Sequence, residues 1–345
     1  MAMKPGTGNP PPEAAVRETD TADGHADAEQ GADFLVACIG ASAGGIEATT
    51  ELIGALGADT GIAFVVVQHL DPFHESMLAE ILGRATAMPV MMAGNRMPVE
   101  PDHVYVIPPG KSMVIGDGVL QLAPRAGQRG HYRPVDDFLR SLASEQGSKA
   151  IAIILSGMGN DGSLGLEEIK AAGGIAFAQD DSAAQTSMPR HAMATGCVDQ
   201  VLAPAAIAAE LHRIARHPLV RAAPPLATDG PSRAAFDRVI AILREASDVD
   251  FANYKRNTLH RRITRRMVLH QFDTLEQYAA FLADSPAEAD ALYNDVLINV
   301  TCLFPRSAGL RGAGGTRVPG TGQRALASGA GARLGAGLLR CCSGD

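Results

Sequence analysis

The stretch Phe34 to Glu47, FLVACIGASAGGIE, constrains this chain more than any other. A run of strand formers (Phe34, Leu35, Val36, Ala37, Cys38, Ile39) stops at the small residues Gly40, Ala41, Ser42, Ala43, Gly44 and Gly45, and a helical pattern follows. That order predicts strand, tight turn, helix. Gly40, Ser42 and Gly44 spell G-x-S-x-G, in which a serine rides a strained strand-to-helix turn with its hydroxyl clear of the sheet. A dinucleotide-binding turn is the first rival. It is disfavoured because Ser42 replaces the middle glycine of G-x-G-x-x-G, and because the next strand, Val65 to Val67, runs into Gln68 and His69 rather than an acidic residue. The second rival is a merely structural turn, which only partners elsewhere in the chain can decide against.

From 34 to 216 short apolar strands alternate with helical stretches, as in an α/β, doubly wound, mainly parallel sheet with helices on both faces. Strands are expected at Phe34–Ile39, Ala63–Val67, Val90–Ala93, Val104–Ile107, Ile151–Leu155 and Ile175–Ala178. A peripheral antiparallel hairpin is expected where Ser112–Ile115 and Val119–Leu122 flank Gly116, Asp117 and Gly118. The proline-bearing segment 217–233 reads as a linker, and 234–306 as a small all-α bundle of about four amphipathic segments. Phe236, Val239, Ile240 and Leu243 form one apolar face of that bundle, and Leu275, Tyr278, Phe281 and Leu282 another.

The ends read differently. Residues 1–33 carry hardly an aliphatic side chain larger than Val16 and are expected to be disordered. The tail 307–345, dominated by Gly, Ala, Arg and Leu, is expected to be low-complexity and disordered, and it begins abruptly, as a truncated or frame-altered product would. An apolar content of 46% in 345 residues suffices for two domains, and a net charge of -8 offers no bulk attraction to nucleic acid. Five scattered cysteines make neither a disulfide framework nor a zinc site. With no signal-peptide pattern and no apolar run of the roughly 18 to 20 residues a membrane span needs, a cytoplasmic protein without membrane insertion is expected.

A serine nucleophile needs a base, a group to orient that base, and N–H donors for the oxyanion. Neighbouring parallel strands end on the same sheet edge, so His69, at the end of the second strand, can approach Ser42. The strand Ile151–Leu155 opens into Ser156-Gly157-Met158-Gly159-Asn160-Asp161-Gly162, which places Asp161 at that edge as the acid. Its glycines permit close backbone approach, so the Met158 and Ala43 N–H groups are candidate oxyanion donors. Alternatives stay open at this point: Asp161 as a turn or helix-capping residue, His69 with His74 as a weak metal pair, and Asp71 or Asp136 as rival acids.

The strings IGASAGG, VVQHL, RPVDDFL, ILSGMGNDG and MPRHA, in this order, resemble the catalytic domain of the chemotaxis protein-glutamate methylesterase (CheB) family. The resemblance implies Ser42 as nucleophile, His69 as base, Asp161 as orienting acid and Met158 as an oxyanion donor. It implies hydrolysis of glutamate methyl esters on chemoreceptor helices in chemotaxis-type signalling, with glutamine deamidation as a related activity and no cofactor or metal. Residues 1–33 are too short for the family's receiver domain, which puts control by receiver phosphorylation in doubt. The flanking glycines are expected to leave room for the bulky protein helix that presents the ester.

FANYKRNTLHRRITRRMVLH, followed by LINVT, is similar to the N-terminal helical domain of the chemoreceptor methyltransferase (CheR) family. Arg261 with Arg265, and Arg262 with Arg266, are spaced to share a helix face, which the resemblance implies meets acidic receptor helices. A solvated face or a nucleic-acid contact is the alternative. Thr301 is followed by Cys302, Leu303, Phe304 and Pro305 rather than the family's aromatics and arginine, and the S-adenosylmethionine domain is missing, so no methyl transfer is expected. The partners expected are methylated chemoreceptor cytoplasmic helices or related sensor proteins. A non-catalytic receptor-binding or scaffolding module is the alternative function.

Overall fold

The computed structural model describes residues 33–70, 76–125, 132–221, 231–247, 249, 251 and 254–303. The strand-turn-helix unit is β1 (Leu35–Ala41) and α1 (Gly45–Ala55). There follow β2 (Ile62–Gln68), α2 (Leu78–Gly83), β3 (Val90–Met92), β4 (Met97–Pro98), β5 (Val104–Val106), β6 (Lys111–Gly116), β7 (Val119–Pro124) and α3 (Pro134–Gln146). Next come β8 (Ala150–Ile154), α4 (Ser163–Ala172), β9 (Ile175–Gln179), α5 (Ser187–Ala194), β10 (Gln200–Leu202) and α6 (Pro204–Arg216). A 7-stranded sheet runs β10-β9-β8-β1-β2-β5-β3, with every pairing parallel.

The strands β1, β2, β8 and β9 are buried along their whole length, which is why they read as unbroken apolar runs. Alternate residues of β1 feed two cores. Leu35, Ala37 and Ile39 pack with Leu52 and Ile53 of α1 and Ile207 and Leu211 of α6. Val36 and Cys38 pack with Val135 and Phe138 of α3, Leu166 of α4 and Met188 of α5. This is the doubly wound sheet, covered on both faces, that the alternating pattern predicts.

The hairpin is present as β6 and β7, antiparallel, and β4 extends it to a 3-stranded sheet. It is tied to α3, since Ile115 N–H donates to Ser141 Oγ at 3.1 Å and Gly118 N–H to Glu145 Oε1 at 2.7 Å. The strands β4 and β10 were not anticipated, because so few residues carry no periodicity.

After the short helix α7 (Pro218–Arg221) come α8 (Pro231–Ser247), α9 (Arg256–His270), α10 (Leu275–Asp284) and α11 (Pro286–Leu303). They share a core of Phe236, Val239, Leu243, Leu259, Ile263, Tyr278, Leu282, Leu292 and Val296. Helix α9 lies against the edge of the sheet where strands begin. Arg265 Nε donates to Gly174 O at 2.7 Å, just before β9, and its guanidinium pairs with Asp199, just before β10, and with Asp295 of α11. Lys170 of α4 reaches the same Asp295 at 3.1 Å. Arg262 donates to the Lys170 and Ala171 carbonyls at the end of α4, and Arg213 of α6 donates to Val268 O at 2.9 Å near the end of α9. Arg262 and Arg213 thus each set a cation at the negative, C-terminal end of a helix, α4 and α9 respectively.

Candidate active site

The register of β1 on β2 pairs Ala41 with Gln68, so Ser42 and His69 occupy the next positions across the ladder. His69 N–H also donates to Ala41 O at 3.4 Å. The serine turn is fixed from several directions: Ser42 N–H donates to Ser156 O and Gly45 N–H to Ser42 O, both at 3.0 Å. The buried Ser156 hydroxyl donates to Ala43 O at 3.0 Å and accepts from Gln185 N–H at 2.9 Å. The turn needs glycine for reasons internal to the chain. Gly44 has φ 71°, and a Cβ there would lie 2.8 Å from Ser156 Oγ, while one on Gly45 would lie 2.6 Å from Ala41 Cβ. These contacts within the chain call for glycine at both positions.

His69 Nε2 lies 3.1 Å from Asp161 Oδ2; the imidazole is 30% exposed and the carboxylate 5%. With Nε2 turned to the carboxylate, Nδ1 is the nitrogen left to take a proton. The carboxylate is anchored by backbone: Val135 N–H donates to Oδ2 at 3.1 Å, and Asp136 N–H and Gly162 N–H donate to Oδ1 at 3.0 and 2.9 Å. Two of these donors are in the first turn of α3, so Asp161 caps a helix other than the one it precedes. That explains why α3 has Pro134 at its start and no side-chain cap of its own. Asp136 returns the favour to α4, accepting from Gly165 N–H at 2.8 Å. Arg133 ties the loop down by donating to Asp136 Oδ2 at 3.0 Å and Asn160 Oδ1 at 2.6 Å. Burial, with Asp161 close by, pushes the Asp136 carboxyl up, against the pull of the Gly165 N–H and Arg133.

Ser42 has its own N–H committed to Ser156 O, whereas among the described residues the Ala43 and Met158 N–H groups donate no hydrogen bond. The Met158 side chain is turned to solvent, 62% exposed. Gly157 is the close approach that sets this loop beside the serine: a Cβ there would stand 3.0 Å from Ser42 Cβ and 2.4 Å from Met188 Sδ. Burial, with Asp161 adding to it, pushes the nearby Cys38 thiol well up, so it offers no competing thiolate. Asp71 and His74 lie outside the described residues. Among the described residues no group of three His, Cys, Asp or Glu is placed to hold a metal ion, and no helix is long and apolar enough to cross a membrane.

Several residues of the site escaped the sequence reading. Gln68, 5% exposed, extends Nε2 to within 3.5 Å of Ser42 O. The Tyr132 ring lies 6.0 Å from the His69 imidazole, and Arg125 stands over that ring. Only VVQHL and RPVDD, flanking the expected residues, signalled any of this.

The four arginines do not form the shared outward face expected of them. Arg262 and Arg265 are 2% and 4% exposed and hold α9 to α4, β9 and β10, away from the edge that carries Ser42. Arg266 is engaged by Glu288, and only Arg261 keeps partial exposure with no ion pair among the described residues. Carboxylates and carbonyls distant in sequence claim these guanidinium groups, because a buried charge must be paired.

Residues 37–211 match the family described as CheB methylesterase, and residues 234–297 match the one described as CheR methyltransferase, all-alpha domain. An uncharacterized 104.1 kDa protein of Rhodobacter capsulatus, from the hypE 3' region, is 34% identical over 249 residues, covering 66% of this chain and 26% of that protein. Protein-glutamate methylesterase/protein-glutamine glutaminase 2 of Burkholderia lata is 38% identical over 194 residues, covering 53% of this chain and 54% of the relative. The solved CheB methylesterase catalytic domain of Thermotoga maritima is 30% identical, with a TM-score of 0.49 over 52% of this chain and 98% of that one. The chain spans about half, or less, of the length of the curated relatives it matches. With half of its length matched by one family across the sheet and the serine turn, the chain belongs to the CheB methylesterase family.

Proposed function

We propose that this chain is a protein-glutamate methylesterase, hydrolysing glutamate γ-methyl esters on chemoreceptors or related sensor proteins through Ser42, His69 and Asp161. The observation that carries the reading is the 3.1 Å His69–Asp161 pair standing across the ladder from a serine on a strand-to-helix turn. Asp161 holds the imidazole with Nε2–H toward itself, so Nδ1 accepts the Ser42 proton as Oγ attacks the ester carbonyl. The developing oxyanion is met by the Ala43 and Met158 N–H groups, and the N-terminus of α1 adds favourable potential. Collapse of the tetrahedral species expels methanol, which takes its proton from His69. Water then attacks the acyl-serine, gives a proton to His69 and releases glutamate, and Ser42 recovers its proton. A glutamine carboxamide follows the same steps with ammonia as leaving group, in keeping with the glutaminase named in the relatives.

A fluorophosphonate tests the reading directly. Ser42 is expected to be labelled, and His69→Ala to slow labelling by about 10²-fold or more, the scale of general-base assistance. An unlabelled Ser42, or labelling indifferent to His69, would overturn it.

A further inference from the structure

The base of the hairpin, expected to be peripheral, forms a wall of the site. Tyr132 O–H donates to Lys111 O at 2.6 Å, which fixes a ring that faces the His69 imidazole at a centroid distance of 6.0 Å. Arg125 follows β7 directly; its N–H donates to Gly110 O at 3.0 Å, and its guanidinium lies 4.0 Å from the centre of the Tyr132 ring. Its neighbour at the site, Arg133, has its guanidinium committed to Asp136 and Asn160. Arg125 pairs with no carboxylate among the described residues. A guanidinium resting over an aromatic ring is oriented at little entropic cost while its N–H fork stays open, and that fork matches a carboxylate.

We infer that Arg125 is a specificity residue that binds a second group of the substrate, a carboxylate on the same polypeptide that presents the ester to Ser42. The inference rests on the esterase reading and deepens it. Hydrolysis itself leaves a carboxylate on the substrate, so a polypeptide with several modifiable glutamates offers this fork more partners as the reaction proceeds. The preference would then be for esters set among acidic residues.

The test uses the full chain, a small neutral fluorophosphonate and two synthetic peptides. Each peptide bears one γ-methyl-glutamyl residue, flanked on both sides by glutamates in one and by serines in the other. Protection of Ser42 from labelling is measured against peptide concentration, and the ratio of the two protection constants is the readout. The wild type is expected to favour the glutamate-flanked peptide about tenfold, as one charge-assisted contact can supply. Arg125→Gln should bring the ratio close to one, and Arg125→Lys should restore part of it. A wild-type ratio near one, or an unchanged ratio in Arg125→Gln, would overturn the inference. Failure of the phosphonate to label wild-type Ser42 without peptide would instead remove the esterase reading beneath it.

Discussion

Asp161 is asked to serve two structures at once, the His69 imidazole and the first turn of α3. Asparagine would keep the shape but lose the charge and turn an amide toward one set of N–H donors. Asp161→Asn is therefore expected to lower turnover by about 10³- to 10⁴-fold, the scale for a mis-set imidazole. It should also cost about 1–3 kcal/mol of stability for imperfectly paired buried donors, read by urea denaturation. Gly157→Ala separates packing from chemistry. A methyl group there meets Met188 Sδ and Ser42 Cβ, so it should displace the serine turn and reduce turnover about tenfold or more, a small misplacement being costly at a reacting atom. An alanine variant with wild-type turnover would show that the loop yields without moving Ser42.

Among the elements, α9 connects the helical segment to the sheet, and its charges are buried rather than displayed. Arg265→Ala would leave Asp199 and Asp295 without their guanidinium partner and should cost about 3–5 kcal/mol, whereas Arg261→Ala should change stability by less than about 0.5 kcal/mol. Equal effects in the two variants would contradict this account of the junction. Glu288 gives the bundle an acid limit. Burial alone would push its carboxyl up, but hydrogen bonds from His270, Arg266 and Tyr278 outweigh burial and hold it at about 2. A carboxyl depressed in the folded state contributes stability above its unfolded value, and that contribution is lost as pH falls through the folded one. The bundle should therefore weaken between about pH 4.5 and 2, and Glu288→Gln should flatten that dependence in an acid-unfolding titration.

At the scale of the whole molecule, residues 33–303 contain a sheet whose two edges have different tasks. Strand ends β1 and β2 meet the loop after β8 at the serine turn, while the starts of β9 and β10 receive α9. The parallel strands and the residues at their ends were legible in sequence, because continuous apolar runs reveal buried strands and parallel strands share an edge. The bundle was legible from its 3.6-residue period. What escaped depends on partners distant in the chain: the carboxylates that draw Arg265 inward, the α3 donors that Asp161 caps, and the hairpin base that sets Tyr132 against His69. Spacing along one helix cannot distinguish an arginine that faces water from one that faces Asp199. The most direct test of the central claim is methanol release from a γ-methyl-glutamyl protein substrate by the purified chain. Turnover that falls by about 10⁴-fold or more in Ser42→Ala is the predicted result, and release at the same rate by wild type and Ser42→Ala would contradict it.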